Sequence, residues 1–150
     1  GWYRTGDTGR LDDKGNLWVT GRVSEVFKTS KGKFVRPVEL EDKFGACNLL
    51  GQFFVFGHGL TQPVALASLS EVGKKFDRSE LSRQLAAFLD DLNAKLPAHE
   101  RVPQIFITND EWTIATGLLT PTLKLKRKTI EQHFRPWVES QIGKAPVVFQ

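Results

Sequence analysis

Residues 77 to 97 constrain the fold more than any other stretch. Leu81, Leu85, Phe88, Leu89, Leu92 and Leu96 recur at the three- and four-residue spacing that places side chains on one face of a helix. Asp77 and Glu80 have the spacing of a capping box, and Pro97 stops the helix. An apolar stripe of this kind has to be packed against something. Phe53–Phe56, Val64–Leu69 and Ile105–Ile107 are short apolar runs bounded by turn formers, and they read as strands. Pro37 suits the first turn of a further helix, with Leu40, Phe44 and Cys47 along one face. Ile130, Phe134, Trp137 and Val138 form another helical stripe, which Pro136 is expected to kink or split. Helices and short strands intermix without regular strand–helix–strand units. The expected class is α+β, a sheet with helices packed on it.

The remaining composition removes several functions. Cys47 is the single cysteine, which excludes a disulfide framework or a thiolate metal cluster within the chain and points to a reducing compartment. No apolar run is long enough to span a bilayer, and the N-terminus lacks a signal-peptide layout. The chain of 150 residues contains no methionine, so Gly1 is expected to be a cut end, and the length fits one domain or one domain plus a fragment. The net charge of +4 fits either a solvated surface or an anionic partner. Tyr3 is the only tyrosine, and aromatic residues do not alternate with basic ones, which counts against a single-stranded nucleic-acid platform.

Three short stretches carry candidate chemistry. In Thr5-Gly6-Asp7, an acid beside a glycine can accept hydrogen bonds from a ribose diol, or simply cap a turn. In GRVSEVFKTSKGKFVRPVELE, residues 21–41, Arg22 offers a fixed fork of donors to a phosphate or ribose oxygen. Lys28, Lys31 and Lys33 surround Gly32 in a turn that either lines a ligand channel or faces solvent. In LTPTLKLKRK, residues 119–128, Lys124 follows a Thr-Pro-Thr turn and precedes more cations at a helix entry. A helix start favours acids, so a cationic cluster there calls for an anion. Glu25–Thr29 reads as a strand, Phe34-Val35 as its return, and residues 8–22 as a hairpin around Asp12-Asp13-Lys14-Gly15-Asn16.

YRTGD, GRxxExxK…G…PxExE and Pro-Thr-x-Lys-x-x-Arg, in this order and over nearly the whole chain, resemble the adenylate-forming enzymes. That superfamily includes acyl-CoA synthetases, luciferases and nonribosomal peptide adenylation domains. FKTSKGKFVRP together with LTPTLKLKRK is most similar to long-chain fatty acid CoA ligases.

The resemblance implies a small mobile C-terminal lid, with a short, mainly antiparallel sheet and packed helices, over residues 22–150. Residues 1–21 would be a β-hairpin that ends a large N-terminal domain. It implies ATP, a fatty acid and CoA as substrates, Mg2+ held mainly by the absent domain, and that domain as the principal partner. Lys124 would span the carboxylate and the α-phosphate during adenylation. Asp7 would hold the ribose hydroxyls and Arg22 the ribose or phosphate of AMP. Gly32 would shape the pantetheine channel, and Lys31 and Lys33 would meet CoA phosphates. The pivot falls on Ser24, where relatives often carry Asp or Lys, and Lys31 stands where many show a second glycine. The fragment is expected to be inactive alone and to belong in the cytoplasm, with peripheral membrane contact as an option and no nucleic acid. A fatty acyl-AMP ligase or carrier-protein-loading domain is the alternative acceptor reading. A non-catalytic module that binds phosphates or lipid surfaces is the second alternative. His58, His99 and His133 lack ligand spacing, Cys47 reads as a core residue, and Trp18, Trp112 and Trp137 read as packing residues.

Overall fold

A computed structural model describes all residues, 1–150. The chain opens with a hairpin of β1 (Asp7–Leu11) and β2 (Leu17–Arg22). Its turn is organised by one carboxylate: Asp12 accepts from the amides of Lys14 and Asn16 at 2.9 and 2.8 Å, from the Asn16 side chain at 2.9 Å, and from the Trp18 indole at 3.1 Å. Leu11, Leu17, Trp18 and Val19 remain exposed. Trp18 is therefore not a packing residue in this chain; its indole closes the turn and Arg10 lies over its ring.

A single 3-10 turn, Val23–Glu25, replaces the beginning of the expected strand. Only Phe27–Lys28 (β3) pairs with Phe34–Val35 (β4). Helix α1 (Pro37–Phe44) begins with its proline at the first turn and buries Leu40 and Phe44. Cys47 lies just beyond it, also buried.

The main sheet has the order β5-β6-β7-β8: Leu50–Phe56, Val64–Leu69, Ile105–Ile107 and Val147–Phe149. β5 and β6 are antiparallel, whereas β7 runs parallel to both β6 and β8. The antiparallel pairings expected for the domain are those of the hairpins and of β5 with β6; the main sheet itself is mixed. The cause is β7, which pairs parallel with β6 on one side and on the other with β8, a strand the sequence reading did not identify. Parallel neighbours need a crossover connection, and α2 (Arg78–Ala94) and α3 (Arg127–Gln141) supply the two crossovers.

Successive residues of a strand point to opposite faces, so the sheet has two apolar sides. Val55, Ala65, Ala67, Ile105, Ile107 and Val147 face Leu40, Phe44 and the α2 leucines. Phe54, Phe56, Leu66 and Phe106 face Trp112, Leu118 and the α3 residues Ile130, Phe134 and Val138. Each fully buried leucine of α2 contributes about 1.5–3 kcal/mol of transfer free energy. Asp77 caps α2 by accepting the Glu80 amide at 2.8 Å. The reciprocal half of the capping box does not form, because the Glu80 carboxylate turns to Arg83 and Gln84 instead. Pro136 does not split α3, which continues through it. Proline removes one helical donor but leaves Ile130, Phe134 and Val138 on the same face. Trp137 is half-buried, edge-on to Phe106 at 5.5 Å. No helix is long and apolar enough to cross a membrane.

Two measurements on the chain test this account. A Cβ added at Gly73 would stand 2.2 Å from the Leu49 carbonyl oxygen. Gly73→Ala should therefore cost about 1–3 kcal/mol in a denaturant titration; an unchanged midpoint would show that the segment shifts freely. Asp12 should titrate far below an ordinary aspartate. Its pKa is lowered from 3.8 to about 2, chiefly by the Asn16 side chain and then by the Trp18 indole. A depressed carboxylate stabilises the turn above its unfolded value and loses that effect as pH falls through its folded one. The Trp18 indole N–H resonance should accordingly shift with a midpoint near 2 rather than near 3.8.

Candidate functional site: a cationic groove beside the Lys124 loop

The segment entering α3 folds back on itself. Leu119 bridges Leu125, and the Thr120 amide donates to the Lys124 carbonyl at 2.8 Å. The Lys124 amide donates to the Thr120 hydroxyl at 3.0 Å, and the Leu123 amide to the Thr120 carbonyl at 2.8 Å. The price of so tight a return falls on Leu123, whose φ of 62° is the one positive value on a residue other than glycine. Left-handed backbone costs such a residue roughly 1–2 kcal/mol. Leu123 and Lys124 are both exposed, and the Lys124 ammonium takes part in no ion pair or hydrogen bond.

Beside this loop lies an open groove of about 920 Å3, lined by Ser24, Phe56, His58, Lys124, Lys126 and Lys128 among others. The first turn of α3 holds no acid and has no side-chain cap, so its positive end adds to the three lysines. Glu25 and Glu131 also line the groove but are paired with Arg127 and Arg135, so the lysines and the helix end leave it favouring an anion such as phosphate.

Arg127 behaves differently from its neighbours. Its two terminal nitrogens bind both oxygens of Glu41, one at 2.7 Å. Its Nε stands 3.7 Å from Glu25, and the guanidinium lies 5.7 Å from the centre of the Phe54 ring. Glu41 also accepts the Val55 amide at 2.8 Å. Burial works against the Arg127 charge, but the hydrogen bond and charge of Glu41, with Glu25 behind them, outweigh it and raise the pKa. Arg127 is thus a fixed charge, whereas Lys124, Lys126 and Lys128 have no carboxylate partner.

Asp7 and Arg22 stand opposite each other at the end of the β1–β2 ladder, Nε to Oδ1 3.4 Å, both solvent-accessible. Gly21, at φ +139°, lets this strand pass α1 closely: a Cβ there would meet Val38 at 3.2 Å. Ser24 follows within the 3-10 turn and reaches the groove. Gly32, at φ +78°, forms a separate turn. Its amide donates to the Thr29 carbonyl, and the buried Thr29 hydroxyl accepts the Lys33 amide at 3.2 Å. The loop between β5 and β6 braces this turn, with Ser30 N–H on the Leu60 carbonyl at 2.8 Å. Lys31 and Lys33 are exposed and do not line the groove.

The fold therefore gathers the expected residues in three places: Asp7 with Arg22, Ser24 with Lys124, and the Gly32 turn with its lysines apart. The sequence reading missed the Arg127–Glu41–Glu25 cluster. Arg127 and Glu41 were visible as the final letters of two motifs, but a contact across 86 positions has no local signature. His58 also lines the groove, which its place between two glycines did not suggest.

Residues 25–144 match the family described as AMP-binding enzyme C-terminal domain. Palmitoyl-CoA ligase FUM16 of Gibberella moniliformis is 33% identical over 93% of this chain and 23% of its own length. Long-chain-fatty-acid–CoA ligase FadD15 of Mycobacterium tuberculosis is 30% identical over 96% of this chain and 27% of its own. The chain thus spans about a quarter of the length of these curated relatives. Among solved structures, the adenylation domain of a carboxylic acid reductase from Segniliparus rugosus, in complex with AMP and a carboxylic acid, superposes with a TM-score of 0.78. It is 24% identical over 93% of this chain and 23% of that one, a likeness of fold. On the match over residues 25–144, the chain belongs to the C-terminal domain family of AMP-binding enzymes.

Proposed function

We propose that this chain is the C-terminal part of an ATP-dependent long-chain fatty acid CoA ligase, and that it supplies the lysine of the first half-reaction. The observation that carries the reading is Lys124: an exposed, unpaired ammonium on a strained loop at the mouth of a cationic groove. Relatives at 30–33% identity that are named CoA ligases support the choice of acceptor.

In adenylation a fatty carboxylate oxygen attacks the α-phosphorus of ATP, forming the acyl-adenylate and releasing pyrophosphate. Two anions must meet, and an ammonium between them offsets their repulsion and favours the charge that develops on the phosphoryl oxygens. Lys124 fills that place. Asp7 accepts the ribose hydroxyls, which requires it to share or release its contact with Arg22. In transfer, the CoA thiol attacks the acyl carbonyl and AMP leaves. The Gly32 turn then lines the channel, with Lys31 and Lys33 on CoA phosphates. Ser24 is the pivot between these arrangements, residues 22–150 being the lid. Residues 1–21 end the large domain, and the exposed Leu11, Leu17, Trp18 and Val19 support that reading by needing cover. Mg2+ would take its ligands mainly from the large domain and from ATP.

In the full-length protein, Lys124→Ala should lower acyl-adenylate formation, read as pyrophosphate release, on the order of a hundredfold or more. Thioester formation from supplied acyl-adenylate should change little. Equal loss in both steps would overturn the assignment. Acyl transfer to a carrier protein but not to CoA would select the other acceptor. Salt-sensitive vesicle binding without pyrophosphate release would point to a non-catalytic module.

A further inference from the structure

The residues that surround Lys124 are bonded mainly to one another. Leu119 N–H reaches the Thr113 carbonyl, Thr120 and Lys124 bind each other, and Lys126 N–H reaches the Leu118 carbonyl at 2.9 Å. Every hydrogen bond of residues 119–126 ends within residues 113–130. Those bonds set the shape of the loop but not its place against the rest of the molecule.

Arg127 makes the polar connection outward. It lies three residues after Lys124 and joins the loop to two other elements. Through Glu41 it is tied to α1, and Glu41 is itself held by the Val55 amide of β5. Through Glu25 it is tied to the 3-10 turn that contains Ser24. Arg127 and Glu41 are partly to largely buried, with side-chain exposures of 27% and 13%. A guanidinium fork holding a carboxylate at two points fixes direction as well as distance.

We propose that Arg127 is a positioning residue for Lys124, and that Glu25–Arg127–Glu41 makes the pivot turn, the sheet and the Lys124 loop move as one rigid unit. This rests on the function proposed above and deepens it. A torsion at Ser24 displaces Glu25, the next residue. The Glu25 contact and the Glu41 fork pass that displacement to the base of the Lys124 loop. Adenylation depends on the position of the Lys124 ammonium and therefore on this cluster. Transfer of the acyl group, which does not use Lys124, does not depend on it in the same way. Ångström-scale misplacement of a catalytic group is enough to cost a large factor in rate.

The test compares half-reactions in the full-length protein with Glu25→Gln, Arg127→Lys and Arg127→Gln. Each should lower kcat for acyl-adenylate formation, Arg127→Gln by about tenfold or more, with KM for ATP and for the fatty acid held within about twofold. Arg127→Lys, which keeps the charge but loses the fork, should fall between Arg127→Gln and the parent. Thioester formation from supplied acyl-adenylate should stay within about twofold. Arg127→Gln leaves the Glu41 charge without its partner and is the variant at risk of misfolding. If it is not recovered folded, Glu25→Gln decides, because it cuts the pivot-side contact and leaves the Arg127–Glu41 pair in place. Unimpaired adenylation in Glu25→Gln, or a parallel fall of both half-reactions with melting temperature, would overturn the proposal. Lys124→Ala run alongside separates the two levels of inference. If it slows adenylation while the Arg127 and Glu25 variants do not, the tether alone fails. If it has no effect, the reading of the site fails with it.

Discussion

The architecture depends on a sheet that is apolar on both faces. β7 is three residues long, buried on each side, and parallel to both neighbours. A strand so placed cannot be reached by tight turns, so the chain has to cross over twice, and each crossover has to bring its own apolar stripe. α2 brings leucines to one face and α3 brings Ile130, Phe134 and Val138 to the other. The consequence for the site is direct. The α3 crossover starts beside β5, and the loop that leads into it is where Lys124 sits.

Charge in this region is divided into fixed and free. One guanidinium faces two carboxylates and is committed to structure, with Phe54 beneath it. Three lysines nearby have no partner and remain available. Buried ion pairs are poor sources of net stability, since desolvation consumes most of the attraction, but removing one member leaves the other exposed to that cost. The pair is better understood as a device that sets direction than as a source of folding free energy. It brings together the ends of segments far apart in the sequence and adds a fixed direction to the apolar packing there.

Much of this was legible from the residues. The α2 stripe from Leu81 to Leu96, its aspartate cap and its proline stop were written in local spacing, and the helix follows them. The turn at Gly32 and the N-terminal proline of α1 were equally local. What escaped detection depends on distant partners. Val147–Phe149 was not read as a strand, and it is its pairing with β7 that makes it one. Pro136 was expected to interrupt α3, yet packing of the stripe on either side of it holds the helix together. Trp18 looked like core because tryptophan usually packs, but only the Gly21 end of its strand meets α1, and Trp18 itself stays exposed with Leu17 and Val19. At the site, the motifs located Lys124, Asp7 and Arg22 by type. They could not show that Asp7 and Arg22 face each other, or that Arg127 is spent on Glu41.

The two cations of the Lys124 loop differ in kind for a physical reason. At position 127 the task is to hold a carboxylate in a fixed plane, partly out of water, without loss of charge. Guanidinium suits that task, being planar, forked, weakly hydrated and resistant to deprotonation. At position 124 the proposed task is to approach two different oxygens and then withdraw. A compact ammonium on a flexible stem suits that one, since it prefers no single orientation and leaves a site without breaking a paired geometry. Exchanging the two residues would keep the net charge of the loop and still put each at the wrong work. The strained Leu123 between the Thr120 turn and Lys124 fits the same division. Backbone strain of this kind persists only where the surroundings are rigid enough to enforce it. Here the paired Thr120–Lys124 bonds supply that rigidity at the tip, and Arg127 supplies it at the base.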